Sequence, residues 1–342
     1  MQIEQLDLAD IRRRRACHQT YLAAQRVDEP EGPWFTEEPF GGWLSVGWSG
    51  EPQEVWAAPG PVEGSVAGWY RLELPGRENL DKAHLDVVVH PAERQRGLGR
   101  ALLRHASARA AANHRSELSG TARDGSPGAA FAGAAGAAPG MVDIMRVLDV
   151  HQLDRHALAQ LRTSAERAAA GYELVSWIGP VPEEFIEQAA GLYNAANDAP
   201  HDPGTVPEEW DARRVRERVN ALRPRYGLHF YTEAARHADT GELAGLTEMA
   251  VDPADPGWGH QVLTVVARKH RGHRLGLRLK LAMLQLLATT EPQLRRLETF
   301  NAQANTHMIA INEALGYQPY GPPVIWFRLD VTMAPGVLPA SG

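Results

Sequence analysis

The sequence predicts a mixed α/β protein made of two tandem copies of one domain. Three observations predict it. At 342 residues the chain exceeds one ordinary core and suits two of about 150 residues each. AGWYRLEL from Ala67 pairs with AGLTEMAV from Ala244, and LDVVVHPAERQRGLGRALL from Leu85 pairs with VLTVVARKHRGHRLGLRLK from Val262, both 177 residues apart. Chance would have to supply one intervening length twice, together with the same apolar rhythm. Finally, an apolar strand runs through a turn rich in glycine and arginine straight into an apolar-periodic helix.

Taken in order, the first copy spans 1–150. It opens with a helix whose Arg12 to Arg15 form a solvated face, and continues through antiparallel strands to the glycine turn and its helix. GSPGAAFAGAAGAAPG is a small-residue helix and MVDIMRVLDV a strand. Residues 151–170 read as a helical linker. The second copy spans 171–331, where RRLETFN is a strand, ANTHMIAINEALGY a helix stopped by Gly316, and VIWFRLDV the strand that closes the domain. The Pro- and Gly-containing end, 332–342, is expected to be a flexible tail. No βαβ unit repeats, which argues against a doubly wound nucleotide fold.

Composition narrows the function. With 44% hydrophobic and 23% charged residues and no apolar run near 18 residues, a soluble protein without a membrane partner is expected. The start lacks the apolar core of a secretory signal, so a cytoplasmic location is expected. A net charge of −7 gives no reason to expect a nucleic-acid partner. Nearly all the basic residues are arginine. The single cysteine, Cys17, excludes an internal disulfide and a cysteine-rich zinc site, and no metal is expected. Monomer and homodimer both remain open.

The turn carries the chemistry. A helix N-terminus exposes unpaired N–H groups and partial positive charge, and glycine lets phosphate oxygens reach the backbone. Arg94, Gln95, Arg96, Gly97, Leu98, Gly99 and Arg100 therefore form a candidate pyrophosphate site, with Val87, Val88 and Val89 offering backbone to an extended ligand arm. In the second copy the matching residues are Thr264, Val265 and Val266, then Arg271, Gly272, His273, Arg274, Leu275 and Gly276. Arg274 stands where the first copy has Gly97.

Arg94 to Gly99 after an apolar strand resembles the acetyl-CoA signature of the GNAT superfamily of N-acetyltransferases. The resemblance covers both halves, and the tandem arrangement is similar to the mycothiol synthase type. Asn301 to Tyr317 is similar to the family's penultimate strand, late helix and LGF/LGY ending. The resemblance implies a mostly antiparallel sheet flanked by helices, a splayed parallel strand pair gripping pantetheine, acetyl-CoA as cosubstrate, and direct attack of an amine on the thioester.

Direct aminolysis needs a group that accepts the amine proton. The family's glutamate position, counted back from Gly276, falls on His260, and in the first copy on Ala83. Glu248 is the other candidate, interrupting the apolar face of Leu246 and Ala250, while its first-copy match is Arg71. The family's leaving-group tyrosine falls on Asn312, so either Tyr317 or a water takes that task or the thiolate is protonated unassisted. Asn301 and Asn305 are candidates for the CoA arm, although Asn305 equally suits a helix cap. Asn197, Asp198 and His201 are candidate acceptor-binding residues, and Asx-turns account for the same letters. The expectation is an N-acetyltransferase for a small-molecule primary amine with its chemistry in the C-terminal copy. Chemistry in the N-terminal copy, or a non-catalytic CoA sensor, are the alternatives.

Overall fold

The computed structural model describes residues 2–202 and 204–333, so the expected tail lies, from 334 on, outside the described residues. The chain runs β1 (Glu4–Gln5), α1 (Ile11–Asp28), α2 (Glu37–Val46), β2 (Gln53–Pro59), β3 (Val66–Glu73), β4 (Lys82–Val89), α3 (Leu98–Ala112), β5 (Glu117–Arg123), α4 (Pro127–Ala134) and β6 (Ala138–Asp149). It continues through α5 (Arg155–Ala168), β7 (Tyr172–Ile178), α6 (Ile186–Ala195), the short α7 (Ala212–Arg214), β8 (His229–His237), β9 (Leu243–Val251) and β10 (Trp258–Val266). It ends with α8 (Leu275–Thr290), β11 (Arg296–Ala302), α9 (Thr306–Leu315), β12 (Gln318–Pro319) and β13 (Val324–Asp330). Among the described residues no helix is long and apolar enough to cross a membrane.

Two compact units result. Among the described residues, unit 1 holds those up to Asp143, those between Asp202 and Val206 and those from Pro322 to Met333, and unit 2 holds Ile144–His201 and Pro207–Gly321. In unit 1, β1 to β4 form an antiparallel meander, β4 pairs with β5 in parallel, and β13 lies between β5 and β6. In unit 2, β7 to β10 form the matching meander and β10 pairs with β11 in parallel; the end of β6 then lies between β11 and β12.

The strand VIWFRLDV was expected to close the second domain. It instead pairs with β5 from Val324↔Arg123 to Asp330↔Glu117, completing unit 1. Alternation specifies that a segment is a strand and which face is apolar, but leaves its partner open. The helix expected as a linker is also part of a core: Ala165 of α5 is fully buried among Leu148, Leu277 and Leu281.

Spacing explains the packing. In α3, Leu98, Leu102, Ala106 and Ala110 recur every fourth residue and face Tyr70, Leu72 and Leu118 of the sheet. In α8, Leu275, Leu279, Met283 and Leu287 do the same. Each fully buried leucine contributes about 1.5–3 kcal/mol relative to exposure. The strands beneath, β3 and β9, are buried on both faces. Both carry a glycine where the neighbouring strand's backbone comes close: a Cβ would lie 2.9 Å from the Val88 carbonyl at Gly68 and 2.6 Å from the Val265 carbonyl at Gly245.

Candidate active site

In unit 1 the turn after β4 makes one 3-10 turn, Pro91–Glu93, before α3 begins at Leu98. Gln95 and Gly97 are left-handed, with φ of 62° and 85°. A Cβ at Gly97 would meet nothing within 4 Å, so the backbone at the head of α3 is open to an anion. The Arg94 guanidinium does not point outward. It donates to the Val89 carbonyl and to both Asp28 oxygens at 2.8 and 2.6 Å, which fixes the turn against the end of α1. Beside the turn lies a cleft of about 360 Å³ lined by Val87 to Val89, Gly97, Arg100 and Phe131, among others.

The parallel pair β4 and β5 holds for three rungs, ending at His84↔Ser119. The valines that line the cleft lie beyond that point, on the stretch of β4 that has left β5. His84 Nδ1 is 3.2 Å from Ser119 Oγ, and its Nε2 is 3.6 Å from Asp86. Arg71 Nε and Nη2 reach Asp86 at 2.9 and 2.8 Å, and its Nη1 donates to both Gln53 and Glu73. Burial alone would raise the Asp86 carboxyl, but His84 and Arg71 outweigh it and hold the carboxyl well below its usual range. Trp326 of β13 lies 5.7 Å from the His84 ring, and its Nε1–H donates to Asp143 at 2.7 Å. Burial, with nearby Asp202, raises the Asp143 carboxyl despite that bond.

Unit 2 repeats the frame with different contents. Its parallel pair also ends on a third rung at a histidine, His260↔Glu298. His260 Nδ1 bonds the Glu298 carboxylate. Burial opposes the imidazolium, yet Glu298 with Asp252 and Asp255 prevails and raises it. The two histidines are structural equivalents. His84 pairs with Glu73 and His260 with Ala250, and those partners are 177 residues apart. Strand β10 reaches its histidine one residue sooner, and a bulge at Val262 restores the offset.

The unit 2 turn copies the anchoring of unit 1. Arg271 donates to the Val266 carbonyl and to Asp198. The left-handed positions are Gly272 at 88° and Arg274 at 55°, so glycine and non-glycine have changed places. Arg274 donates to Ser164, while His273 is exposed beside Tyr172.

The model of the acetyltransferase (GNAT) family matches residues 15–132. Unit 1 carries a GNAT acetyltransferase domain. The solved structure of a tandem GNAT protein from the clavulanic acid biosynthesis pathway is similar to this chain with a TM-score of 0.77 and 29% identity, covering 96% of this chain and 98% of that one. A GCN5-related N-acetyltransferase from Sphaerobacter thermophilus gives 0.66 at 16% identity over 100% and 98%. N-myristoyltransferase from Saccharomyces cerevisiae gives 0.60 at 10% over 96% and 78%. The last two speak for the fold alone. No curated protein matches the chain in sequence. The tandem GNAT fold extends over both units, and acetyl-CoA is the cosubstrate of this family of acyltransferases.

Within that GNAT frame the expected residues separate. Glu248 is 1% exposed and bonded to Arg223 at 2.6 Å and Tyr193 at 3.0 Å, a buried ion pair with no free face. Asp198 joins Arg268 to Arg271, and hydrogen bonds from Arg271 and then Arg268 hold its carboxyl low. Asn197 donates to the Glu208 carbonyl, and His201 is exposed beside the Ala199 carbonyl. These three shape a loop, as Asx-turn chemistry allows. Asn305 caps α9 through Met308 N. Asn301 accepts from the buried Asn312 at 2.8 Å. Burial raises the Tyr317 hydroxyl, and its ring packs within the core of unit 2. Cys17 is fully buried, which pushes its thiol up to about 12 and leaves it inert. His84, Asp86 and Trp326 were not singled out from the sequence. The letters HLD from His84 were the available signal, hidden by counting one constant offset onto Ala83.

Proposed function

We propose that the protein is an acetyl-CoA-dependent N-acetyltransferase for a small-molecule primary amine, with its chemistry in unit 1. One observation carries this reading: the cleft beside the open Gly97 turn borders the strand that has just parted from its partner at His84. The residues fit the cosubstrate. Backbone at the head of α3 receives the pyrophosphate, and the freed edge of β4 binds the extended arm. When bound, acetyl-CoA supplies the thioester carbonyl that the amine attacks. His84 accepts the amine proton, and ionised Asp86, held by Arg71, steadies the imidazolium that forms. The Trp326 ring lies beside His84 and its Nε1–H holds Asp143, and together they suit a cationic amine.

His84→Ala and Asp86→Asn test this. Thiol release in the presence of an amine panel should fall by about 10²-fold or more in each, with calorimetric CoA affinity nearly unchanged. Full activity in both would refute it. A second reading places the chemistry in unit 2, favoured by the His260–Glu298 pair at the matching rung. His260→Ala and Glu298→Gln would then carry the loss instead.

A further inference from the structure

Lysine is scarce in this chain: Lys82, Lys269 and Lys280 stand against 32 arginines. Two of the three have ordinary partners, Lys82 the Gly204 carbonyl and Lys269 the carboxylate of Glu242. Lys280 is different. It is 3% exposed on α8, and no carboxylate among the described residues pairs with it. Its Nζ donates to Gln261 Oε1 at 2.7 Å and lies 5.3 Å from the centre of the Tyr317 ring. Arginine keeps its charge wherever it is placed, whereas a buried lysine becomes a neutral amine, and burial pushes this one down to about 7.

Its position gives the amine a context. Helices α3 and α8 correspond from Leu98 and Leu275 onward, so Lys280 stands where Leu103 lines the unit 1 cleft. Its partner Gln261 directly follows His260, where β10 and β11 part, and is itself held by Thr247 and the Glu248 and Leu263 carbonyls. The Lys280 nitrogen is thus one hydrogen bond from the parting point of unit 2's strands, with the Arg271–Gly276 turn at the head of the same helix.

We propose that Lys280 is a self-acylation site, its side-chain amine taking the acyl group from an acyl-CoA seated at the Arg271–Gly276 turn. This rests on the reading that the chain binds acyl-CoA. The neutral nitrogen attacks the thioester carbon, an N–C bond forms, the C–S bond breaks, and the proton lost from nitrogen leaves with the sulfur as the free thiol of CoA. The product is a stable amide, so each chain reacts once. Acylation is a permanent mark on unit 2, and it removes the titratable amine.

The test uses the full chain with acetyl-CoA and no added amine, and reads acetyl occupancy at each of the three lysines by peptide mass spectrometry. Lys280 should be acetylated at least about tenfold faster than Lys82 or Lys269, because those two nitrogens are engaged by the Gly204 carbonyl and by the Glu242 carboxylate. Excess CoA should suppress the reaction. Acetyl phosphate, which needs no CoA site, should favour the exposed Lys269, and Lys280→Arg should abolish the mark on that peptide. Two outcomes overturn the proposal while leaving the transferase reading intact: an unmodified Lys280 in protein that still releases thiol with an amine, or Lys280 acetylation that excess CoA does not suppress. Absence of acetylation, thiol release and calorimetric CoA binding together would remove both.

Discussion

The two parting points, one in each unit, share a frame and differ in content. Each parallel pair ends on its third rung at a histidine. In unit 1 the next positions are Leu85 and Asp86, helix α3 presents Leu103, and a cleft remains. In unit 2 the structural equivalents are Gln261 and Leu263, α8 presents Lys280, and a hydrogen bond joins Gln261 to Lys280. The carboxylate beside the histidine also moves, from Asp86 on its own strand to Glu298 on the adjacent one. One backbone frame thus holds a histidine–aspartate pair near a cleft in one unit and a buried amine in the other, depending on side chains at three or four positions.

The largest effect is expected at the next strand in. Glu248 and Arg71 occupy matching positions on β9 and β3, but Glu248 is sealed against Arg223 whereas Arg71 serves partly exposed Asp86 and Glu73. Glu248→Gln should cost about 3–5 kcal/mol in urea unfolding by leaving the Arg223 charge buried and unpaired. A cost below about 1 kcal/mol would mean that Glu248 is accessible and would favour it as the base.

Replacing Lys280 should act in the opposite direction. An amine whose folded value is lowered to about 7 binds fewer protons folded than unfolded between about 7 and 10.5, so stability rises with pH across that window. Lys280→Met should stabilise the protein by about 2–4 kcal/mol at pH 6 and flatten that rise. Denaturation midpoints at pH 6, 8 and 10 would show it, and an unchanged slope would mean the ammonium is solvated.

A smaller effect separates the two histidine sites in acid. His260 is raised by Glu298, so the stability it contributes is fully present below its ordinary value of about 6.5 and is lost as pH rises through the folded value. Asp86 is lowered, so its contribution is present above about 3.9 and is lost as pH falls through its folded value. Glu298→Gln should therefore cost about 1–2 kcal/mol at pH 5.5 and less at pH 8, whereas Asp86→Asn should cost as much at pH 8 as at pH 5.5. The smallest expected change is at the turns. Arg274→Gly should relieve about 1 kcal/mol of left-handed strain, less what the lost bond to Ser164 supplied, and Gly97→Ala should impose a similar strain, both read as melting shifts.

Much of this was legible from pattern. The 177-residue repeat, the helix starting at Leu98 and its copy at Leu275, and the stop at Gly316 follow from spacing and glycine placement. The site was less legible. His84 was missed because β10 gains its one-residue bulge only after His260, and a bulge leaves no mark in hydrophobic periodicity. Asn197, Asp198 and His201 had the right chemistry for an acceptor, yet loop residues of those types satisfy local backbone and arginine partners just as well.

By itself the sequence determined the two-copy α/β architecture and the paired glycine turns, because both depend on local propensity and on spacing along the chain. Only the tertiary structure decided that β13 completes unit 1, that His84 and His260 occupy one place, and that Lys280 lies buried beside Gln261. Strand partners, strand register and the environment of an amine are set by contacts between residues far apart in the chain, and local periodicity carries no record of them.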